Sequence, residues 1–407
     1  MACRSFRSGA GGLRADEIGS GLMSRPLGRA CRVMLWVGVP LLMAAAEAGG
    51  VSAGTLWPAV QVALTPVGRR FTNQPFLPLL RFVNGTTVAA AFIAHNGVAR
   101  PPVLPHRGEA VALLYVSVFD ANTGDALNTI ELPTDDPHYS GLLAGTDSEL
   151  LVKLGDRVAL YDGDLCLIKE VRLPGPEGSV WQASASPTGR NVLLADRGPR
   201  RSTWVWLDAR TLRVVRTWRV DQPYAAALRI SDDYITFAPC RPSRNRLPCK
   251  LTVWPLDGGP AGSIGGIGYV EGGPSFASNT LLFAPGWPPP GFSVIDLRKR
   301  RPIFEQPPPA SSAVFGPPVP AANAARFVVP GFPSVRWQRL TWLNILDGPS
   351  ARLRIVSVRG VPYTLPRWWS YAWSSFWLAL SPDGKLLAVM PNFKTLLIYK
   401  LPPPKRH

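Results

Sequence analysis

A short phrase recurs along the chain: an apolar segment with Asp at or near its end, then a turn, then a second segment of strand-like composition. Its copies are YVSVFDANTG (115–124), RVALYDGDLC (157–166), TWVWLDARTL (203–212), GFSVIDLRKR (291–300) and LTWLNILDGP (340–349). Turn-rich hairpin sequences such as SASPTGRNVLLA (184–195) and ALSPDGKLLAV (379–389) lie between the copies. A unit this short cannot bury its apolar faces alone, so the copies must stack on one another. The repeat therefore constrains the architecture, but it names neither a substrate nor a reaction.

The Asp after the third strand of each unit measures the length of the repeat. The measuring positions are Asp120, Asp162, Asp208, Asp257, Asp296 and Asp347, with Tyr399 near the equivalent place in the last unit. Successive positions are 42, 46, 49, 39, 51 and 52 residues apart. Four-stranded propeller blades recur at about 40–50 residues. Seven units thus predict an all-β, seven-bladed β-propeller of four-stranded blades, and the content of 38 Gly and 43 Pro suits its many turns.

The last unit ends before its fourth strand. Its three strands are predicted at 376–380, 386–390 and 396–401, and a Ser-Pro-Asp-Gly turn joins the first two. An incomplete blade would leave an unpaired sheet edge, which proteins avoid. The alternating segment AVQVAL (59–64) stands before the first full unit. We expect this N-terminal strand to complete the last blade and to close the ring.

Two of these stretches carry a family resemblance. SPDGKLLAV…LLIYKL and SPTGRNVLLA…WVWLD resemble the repeats of WD-repeat-like β-propellers and of related secreted bacterial β-propellers, including the quinoprotein-like and lactonase-like groups. The resemblance covers about residues 56–401 and consists of short, degenerate motifs. The Gly-His and Trp-Asp dipeptides of true WD repeats are missing, and so is an Asp–His–Ser/Thr–Trp network in each blade. The resemblance implies a divergent propeller rather than a eukaryotic-type WD scaffold.

The N-terminus has the pattern of a secretory signal. The apolar run VMLWVGVPLLMAAA (33–46) follows three arginines and precedes Ala46-Glu47-Ala48, an A-x-A cleavage pattern. The run is short for a membrane span and contains Pro40. We therefore predict a leader over 1–48 (its start possibly at Met23), a linker over 49–55, one propeller over 56–401 and a basic tail over 402–407. An uncleaved anchor is the alternative to an exported protein without a transmembrane span.

Export allows disulfides, because exported chains meet an oxidising environment. Cys240 and Cys249 flank the loop CRPSRNRLPC between two predicted strands, where cysteines can face each other closely enough to bond. We predict a Cys240–Cys249 disulfide, with metal binding by the pair as the weaker alternative. Cys166 is expected to be a buried, unpaired thiol.

The formal charge of +17 favours anionic partners. Cleavage after residue 48 would remove six Arg and three acidic residues, which leaves +14. The basic residues comprise 36 Arg and 8 Lys, and a GC-rich genome gives that bias without selection for binding. The sequence therefore leaves two explanations for the positive charge open: binding of anionic partners, or the composition of the genome.

Arg and Trp residues concentrate in the connections between the second and third strands of the units and in the connection GVPYTLPRWWSYAWSS (360–375). Arg suits carboxylate, sulfate or phosphate oxygens, and aromatic faces suit sugar rings or cations. The candidate ligand-binding residues are Arg200, Arg201, Arg244, Arg246, Arg336, Arg367, Trp337, Trp368 and Trp369. The alternative is a solvated basic rim, with the Trp run packed between the last and first blades.

Catalytic and metal-binding patterns are scarce. The only histidines are His95, His106, His138 and His407, and no nucleophile elbow is present. We therefore expect no catalytic residue, no metal and no cofactor. The favoured function is a secreted, monomeric binding or scaffold module for a protein, an anionic polymer or a glycan, with nucleic acid not expected. The alternative is a propeller enzyme, either a lactonase-like hydrolase or a quinone-dependent dehydrogenase.

Overall fold

The strands pair in chain order, in consecutive groups of four. The computed structural model describes residues 54–64, 77–95, 112–134, 140–146, 148–174, 181–196, 201–220, 226–238, 249–267, 275–285, 291–306, 314–323, 326–332, 340–348, 352–361, 377–392 and 395–404. The regular elements in these ranges are β-strands. Two strands precede the first group of four: β1 (Gly54–Leu56) and β2 (Val60–Ala63).

Each of the first three blades is an antiparallel sheet whose strands follow one another from the inside outward, here a to d. Blade 1 consists of β3 (Leu80–Phe82), β4 (Thr87–His95), β5 (Ala112–Asp120) and β6 (Ala126–Thr134). Blade 2 consists of β7 (Gly141–Thr146), β8 (Glu149–Leu154), β9 (Arg157–Asp162) and β10 (Leu167–Arg172). Blade 3 consists of β11 (Trp181–Ala185), β12 (Asn191–Asp196), β13 (Ser202–Asp208) and β14 (Val214–Val220).

Blades 4 and 5 repeat this pattern. Blade 4 consists of β15 (Ala226–Ile230), β16 (Tyr234–Ala238), β17 (Cys249–Pro255) and β18 (Gly262–Ile267). Blade 5 consists of β19 (Ser275–Phe276), β20 (Leu281–Pro285), β21 (Phe292–Asp296) and β22 (Arg301–Gln306).

Blades 6 and 7 differ because the N-terminal strands join them. In blade 6 the inner strand is split, and its strands are β23 (Val314–Phe315), β24 (Val319–Pro320), β25 (Arg326–Phe332), β26 (Trp342–Asp347) and β27 (Arg352–Val358). Strand β1 pairs in parallel with β27 and adds a further outer strand. Blade 7 has β28 (Leu378–Leu380), β29 (Leu386–Asn392) and β30 (Thr395–Lys400) from the C-terminus.

Strand β2 completes blade 7, which confirms the predicted closure. It runs antiparallel to β30, with Val60 opposite Ile398 and Ala63 opposite Thr395. Val60 and Val62 also pack against Gly124 of blade 1, where an added Cβ would lie 2.8 and 2.9 Å from their methyl groups. The φ of +84° at Gly124 also favours glycine there. The N-terminal strand therefore contacts both the last and the first blade.

The hydrophobic core lies between the blades. One cluster of buried residues joins blades 7, 1 and 2, and separate clusters join blades 2 with 3, 3 with 4, 4 with 5, 5 with 6 and 6 with 7. Inner strand β28 contacts β3, so the last blade meets the first. Each blade therefore depends on both neighbours for burial, as expected for stacked repeats.

The strand boundaries differ slightly from the sequence-based ones. Strand β25 continues through Phe332 because Pro330 and Gly331 pair with Leu343 and Trp342, so the following connection starts later than residue 330. Strand β29 likewise extends to Asn392. The predicted seven-bladed, four-stranded architecture is confirmed, and the propeller strands belong to one compact unit, Ser52–His407.

Closure by β2 makes a testable prediction. Val62 is half-buried against the core, whereas its neighbour Gln61 is exposed. We expect Val62→Asp to lower the free energy of unfolding by about 1–3 kcal/mol, because it buries an unpaired carboxylate in the closing strand. The matched substitution Gln61→Asp should lower the free energy of unfolding far less. Chemical denaturation measures both, and equal effects would contradict closure by this strand.

Candidate functional site

Two faces of the ring are defined by hydrogen bonds between the blades. On one face the turns between strands a and b of neighbouring blades are linked: Ser148 N–H donates to Val83 O, and Asn323 N–H donates to Pro382 O. On the opposite face the d–a connection of blades 1 and 2 meets the b–c turn of blade 2, where Gly155 N–H donates to Ser140 Oγ at 3.1 Å. The b–c connections thus begin and end on the same face as the d–a connections, here called the b–c face.

Most of the predicted binding residues lie outside the described residues. Those outside are Arg200, Arg244, Arg246, Arg336, Arg367, Trp337, Trp368 and Trp369. Arg201 is described, and it lies exposed just before β13, at the b–c face of blade 3. The strand ends that bracket the predicted residues of blades 3, 4 and 6 belong to this face.

Two charged groups on the described part of the b–c face have partners. Asp156, in the b–c turn of blade 2, accepts a hydrogen bond from Arg172 Nε at 2.6 Å. Lys153, which sequence reasoning missed, is fully buried at the end of β8 and donates from Nζ to Gly155 O at 2.6 Å. The b–c turn of blade 2 is therefore held by local charge pairing and is not a free acidic site.

The cysteine predictions have different outcomes. Cys240 and the side chain of Cys249 lie outside the described residues, so their disulfide stays a prediction. Cys166 is half-buried and is not left unpartnered, so the expectation of a buried, unpaired thiol is wrong.

The repeated Asp has a structural role in the c–d turns, on the face opposite the b–c face. Asp120 Oδ1 accepts hydrogen bonds from the N–H groups of Asn122 and Thr123, and Asp162, Asp208, Asp257 and Asp296 make equivalent contacts in their turns. Burial alone would raise the pKa of Asp208, but hydrogen bonds from Thr211 and from the backbone of Arg210, together with the charge of Arg210, outweigh burial and lower the pKa. These carboxylates accordingly fix turns and do not converge on a site.

A polar network links the a–b turns of blades 3, 4 and 5. Asp232 accepts hydrogen bonds from Thr188 Oγ1 at 2.8 Å, Asn191 Nδ2 at 3.1 Å and Asn279 Nδ2 at 2.9 Å. Asn191 Oδ1 in turn accepts from Trp206 Nε1 at 2.9 Å. The network was not predicted, because its members come from three repeats and share no motif. Asp232 uses both carboxylate oxygens in these bonds, so it joins blades rather than offering a ligand site.

Two arginines stand in the innermost strands. Arg81 in β3 donates from Nε to Leu143 O of blade 2 at 3.2 Å, and Arg229 in β15 donates from Nη1 to Leu228 O at 2.9 Å. Burial lowers the pKa of Arg81 to about 10. The sequence signal is a charge flanked by apolar residues, in Leu80-Arg81-Phe82 and in Leu228-Arg229-Ile230. Arg81 thus uses its charge to join the inner strands of blades 1 and 2.

One buried ion pair ties blade 6 to the closing blade. Arg326 Nε donates to Asp347 Oδ1 at 2.6 Å, and both side chains are almost fully buried. Arg326 Nη1 also donates to Gly384 O at 2.8 Å and to Pro402 O at 3.0 Å. Gly384 has no room for a Cβ, which would lie 2.7 Å from Arg326 Cδ. Asp347 therefore differs from the other repeated Asp residues, which cap turns. Its carboxylate anchors the Arg326 guanidinium, which in turn holds the Ser-Pro-Asp-Gly turn.

The described residues contain neither a metal-binding cluster nor a membrane-spanning helix. Among them, no three or more His, Cys, Asp or Glu side chains are grouped to hold a metal ion. Within the same ranges, which exclude the predicted leader, no helix has the length and apolar character to cross a membrane.

Solved structures of other proteins share this fold. One is a chain of the mitotic checkpoint complex, with 15% sequence identity, 84% of this chain and 95% of that chain covered, and a TM-score of 0.52. Another is the Pan2 WD40 domain of Neurospora crassa, with 13% identity, 86% and 96% covered, and a TM-score of 0.50. No protein-family model and no curated protein sequence matches the chain. The comparisons thus show the fold class, a WD40-like seven-bladed β-propeller.

The ion pair gives the second prediction. Asp347→Ala would leave Arg326 buried without its carboxylate, which costs about 3–5 kcal/mol of unfolding free energy. The control is Asp257→Ala, at the equivalent position in blade 4, where the carboxylate is exposed and accepts from Gly259 N–H. We expect the control to cost about 1 kcal/mol or less. Thermal and chemical denaturation test the difference, and similar losses in both variants would contradict the assigned role of Asp347.

Proposed function

We propose that this chain is an exported, non-catalytic binding or scaffold module whose b–c face binds an anionic polymer, glycan or protein. The observation that carries the proposal is where the strands end. The strand ends on either side of the Arg- and Trp-rich connections all belong to one face of a closed ring. Exposed Arg201 lies just before β13 on that face, and Asp156 in the b–c turn of blade 2 is paired with Arg172.

The chemistry of the connections supports an anionic ligand. Guanidinium groups bind carboxylate, sulfate and phosphate oxygens through two parallel hydrogen bonds. Indole faces stack on sugar rings and attract cations. Connections mounted on a rigid scaffold commonly carry binding residues, because their sequences vary without disturbing the core. An acidic polysaccharide or an acidic protein surface offers contacts for both the Arg guanidinium groups and the Trp indole faces.

The fold supports a scaffold role by analogy. The mitotic checkpoint complex, by its name an assembly of proteins, includes a chain with this fold. The analogy is one of architecture alone, because the identity is 15%. It favours a module that holds partners, and the residues on the b–c face would decide which partners.

Retention on heparin tests the anionic ligand. We expect replacement of Arg200, Arg201, Arg244 and Arg246 by Ala to abolish retention of the protein on heparin at moderate salt, because these residues would supply the guanidinium contacts. The matched control replaces Arg298, Lys299, Arg300 and Arg301 by Ala, which removes the same charge from the c–d turn of blade 5 on the opposite face. The control should retain binding.

Two results would overturn this proposal. If both variants lose retention equally, the binding reflects net charge and not a face of the ring. If the first variant binds unchanged, the named arginines are not the ligand contacts. Stoichiometric calcium or a transition metal in the purified protein would favour the enzyme alternative over a binding module.

Export and the disulfide can be tested in one experiment. In a bacterial host that reads the natural leader, we expect mass spectrometry of the exported protein to show an N-terminus after Ala48. The peptide that spans 240–249 should be oxidised in this pool, because disulfides form in exported compartments. Protein expressed from residue 49 without the leader provides the reduced, intracellular control. An uncleaved N-terminus, or reduced Cys240 and Cys249 in the exported pool, would contradict these predictions.

A further inference from the structure

The outer edge of blade 3 carries a row of exposed arginines. Strand β14 is the outermost strand of its sheet, so one side of its backbone faces away from β13. Arg213, just before the strand, and Arg216 and Arg219 within it are exposed, and none forms an ion pair with an acid in the described part of the chain. In blade 2, by contrast, Glu170 of β10 pairs with Arg157.

Apolar side chains are exposed beside these arginines. The pairing of β13 with β14 shifts register between Trp206 and Leu207, which leaves Val215 as an extra residue in a β-bulge. Val214 is 51% and Val215 50% exposed. Exposed apolar residues also stand at the corresponding bulges of blades 1 and 2, at Leu127 and Ile168, whereas Ile303 of blade 5 packs against the core. In blade 3 the exposed valines lie on the same strand as the arginines. Charges on an outer strand commonly prevent unwanted pairing, but that protective role does not explain two exposed valines.

The chain itself shows that an outer edge of this propeller accepts another strand. Strand β1 lies parallel to β27, the outer strand of blade 6, with Thr55 opposite Ser357. Strand β27 resembles β14 in mixing β-branched residues with Arg. An edge of this composition can therefore form a further row of backbone hydrogen bonds, as in peptide recognition by strand addition.

The register of β14 specifies the charge pattern of an added strand. Arg216 lies opposite Trp206, Trp218 opposite Trp204, and Arg219 opposite Thr203. Cross-strand partners share one side of a sheet and successive residues alternate, so Arg216 and Arg219 project on opposite sides. Arg216 stacks over Trp218, with its Cζ 5.3 Å from the ring centroid. A partner strand that meets both guanidinium groups needs acids three residues apart.

We propose that the outer edge of blade 3, strand β14, is a second binding surface that takes an extended acidic segment of a partner protein as an added strand. The partner's backbone pairs with the open edge, and its β-branched residues cover Val214 and Val215. Acidic residues at positions i and i+3 pair with Arg216 and Arg219. The Arg219 end of this surface borders the b–c face, since Arg219 lies opposite Thr203, two residues after Arg201. The peptide test does not depend on heparin binding.

Binding of two isomeric peptides to the full-length chain tests the proposal. Each is a nonapeptide of Thr, Val and two Glu; the glutamates are three residues apart in one and two apart in the other. Fluorescence anisotropy should show at least tenfold tighter binding of the first. N-methylation of alternate backbone amides in the first peptide should remove binding, because it blocks strand pairing and keeps the charge.

Variants of the chain locate the surface. Arg216→Glu with Arg219→Glu should weaken binding of the first peptide at least tenfold, whereas Arg298→Glu with Lys299→Glu, which makes the same change in charge on blade 5, should leave it unchanged. Circular dichroism verifies the fold of each, and Arg216→Gln with Arg219→Gln replaces the first variant if that one does not fold. The proposal is overturned if the two peptides bind equally, if N-methylation has no effect, or if the blade 5 variant weakens binding as much. Binding to anionic vesicles without binding to the peptides would also overturn it.

Discussion

The pairing of β2 with β30 is the interaction on which the rest of the structure depends. Each blade buries its apolar residues against its two neighbours, so the clusters of the core lie between blades and an open ring would expose two of these surfaces. The C-terminus supplies only three strands of blade 7, and the fourth comes from residues more than three hundred positions earlier. A contact this distant in sequence joins the two ends of the ring, and Val60 and Val62 extend it to Gly124 of blade 1.

The two faces of the ring are held differently. The a–b turns are joined across blades by specific bonds, with Asp232 between blades 3, 4 and 5 and Arg326 between blades 6 and 7. The described part of the b–c face shows local pairing, such as that of Asp156 with Arg172.

The outer edges show a second asymmetry. Among the described strands, β1 covers the outer edge of blade 6, whereas the outer strands of the other blades have no strand added to them. In blade 3 the edge remains open and carries arginines without acidic partners in the described residues, beside two exposed valines.

The sequence by itself determined the number of blades, their strand order and the closing strand, because the strand–Asp–turn phrase reports local turn chemistry: Asp120 and its counterparts cap the turns that the phrase predicts. It also indicated which connections carry Arg and Trp. Only the tertiary structure decided which polar residues meet. Asp232 and its hydrogen-bond partners come from three blades. Arg326 bonds Asp347 on the neighbouring strand and Gly384 in the next blade. Asp347 fits the same sequence pattern as Asp257, yet one is buried in an ion pair and the other is exposed. Local sequence cannot distinguish them, because burial and partner choice arise from residues that are distant along the chain.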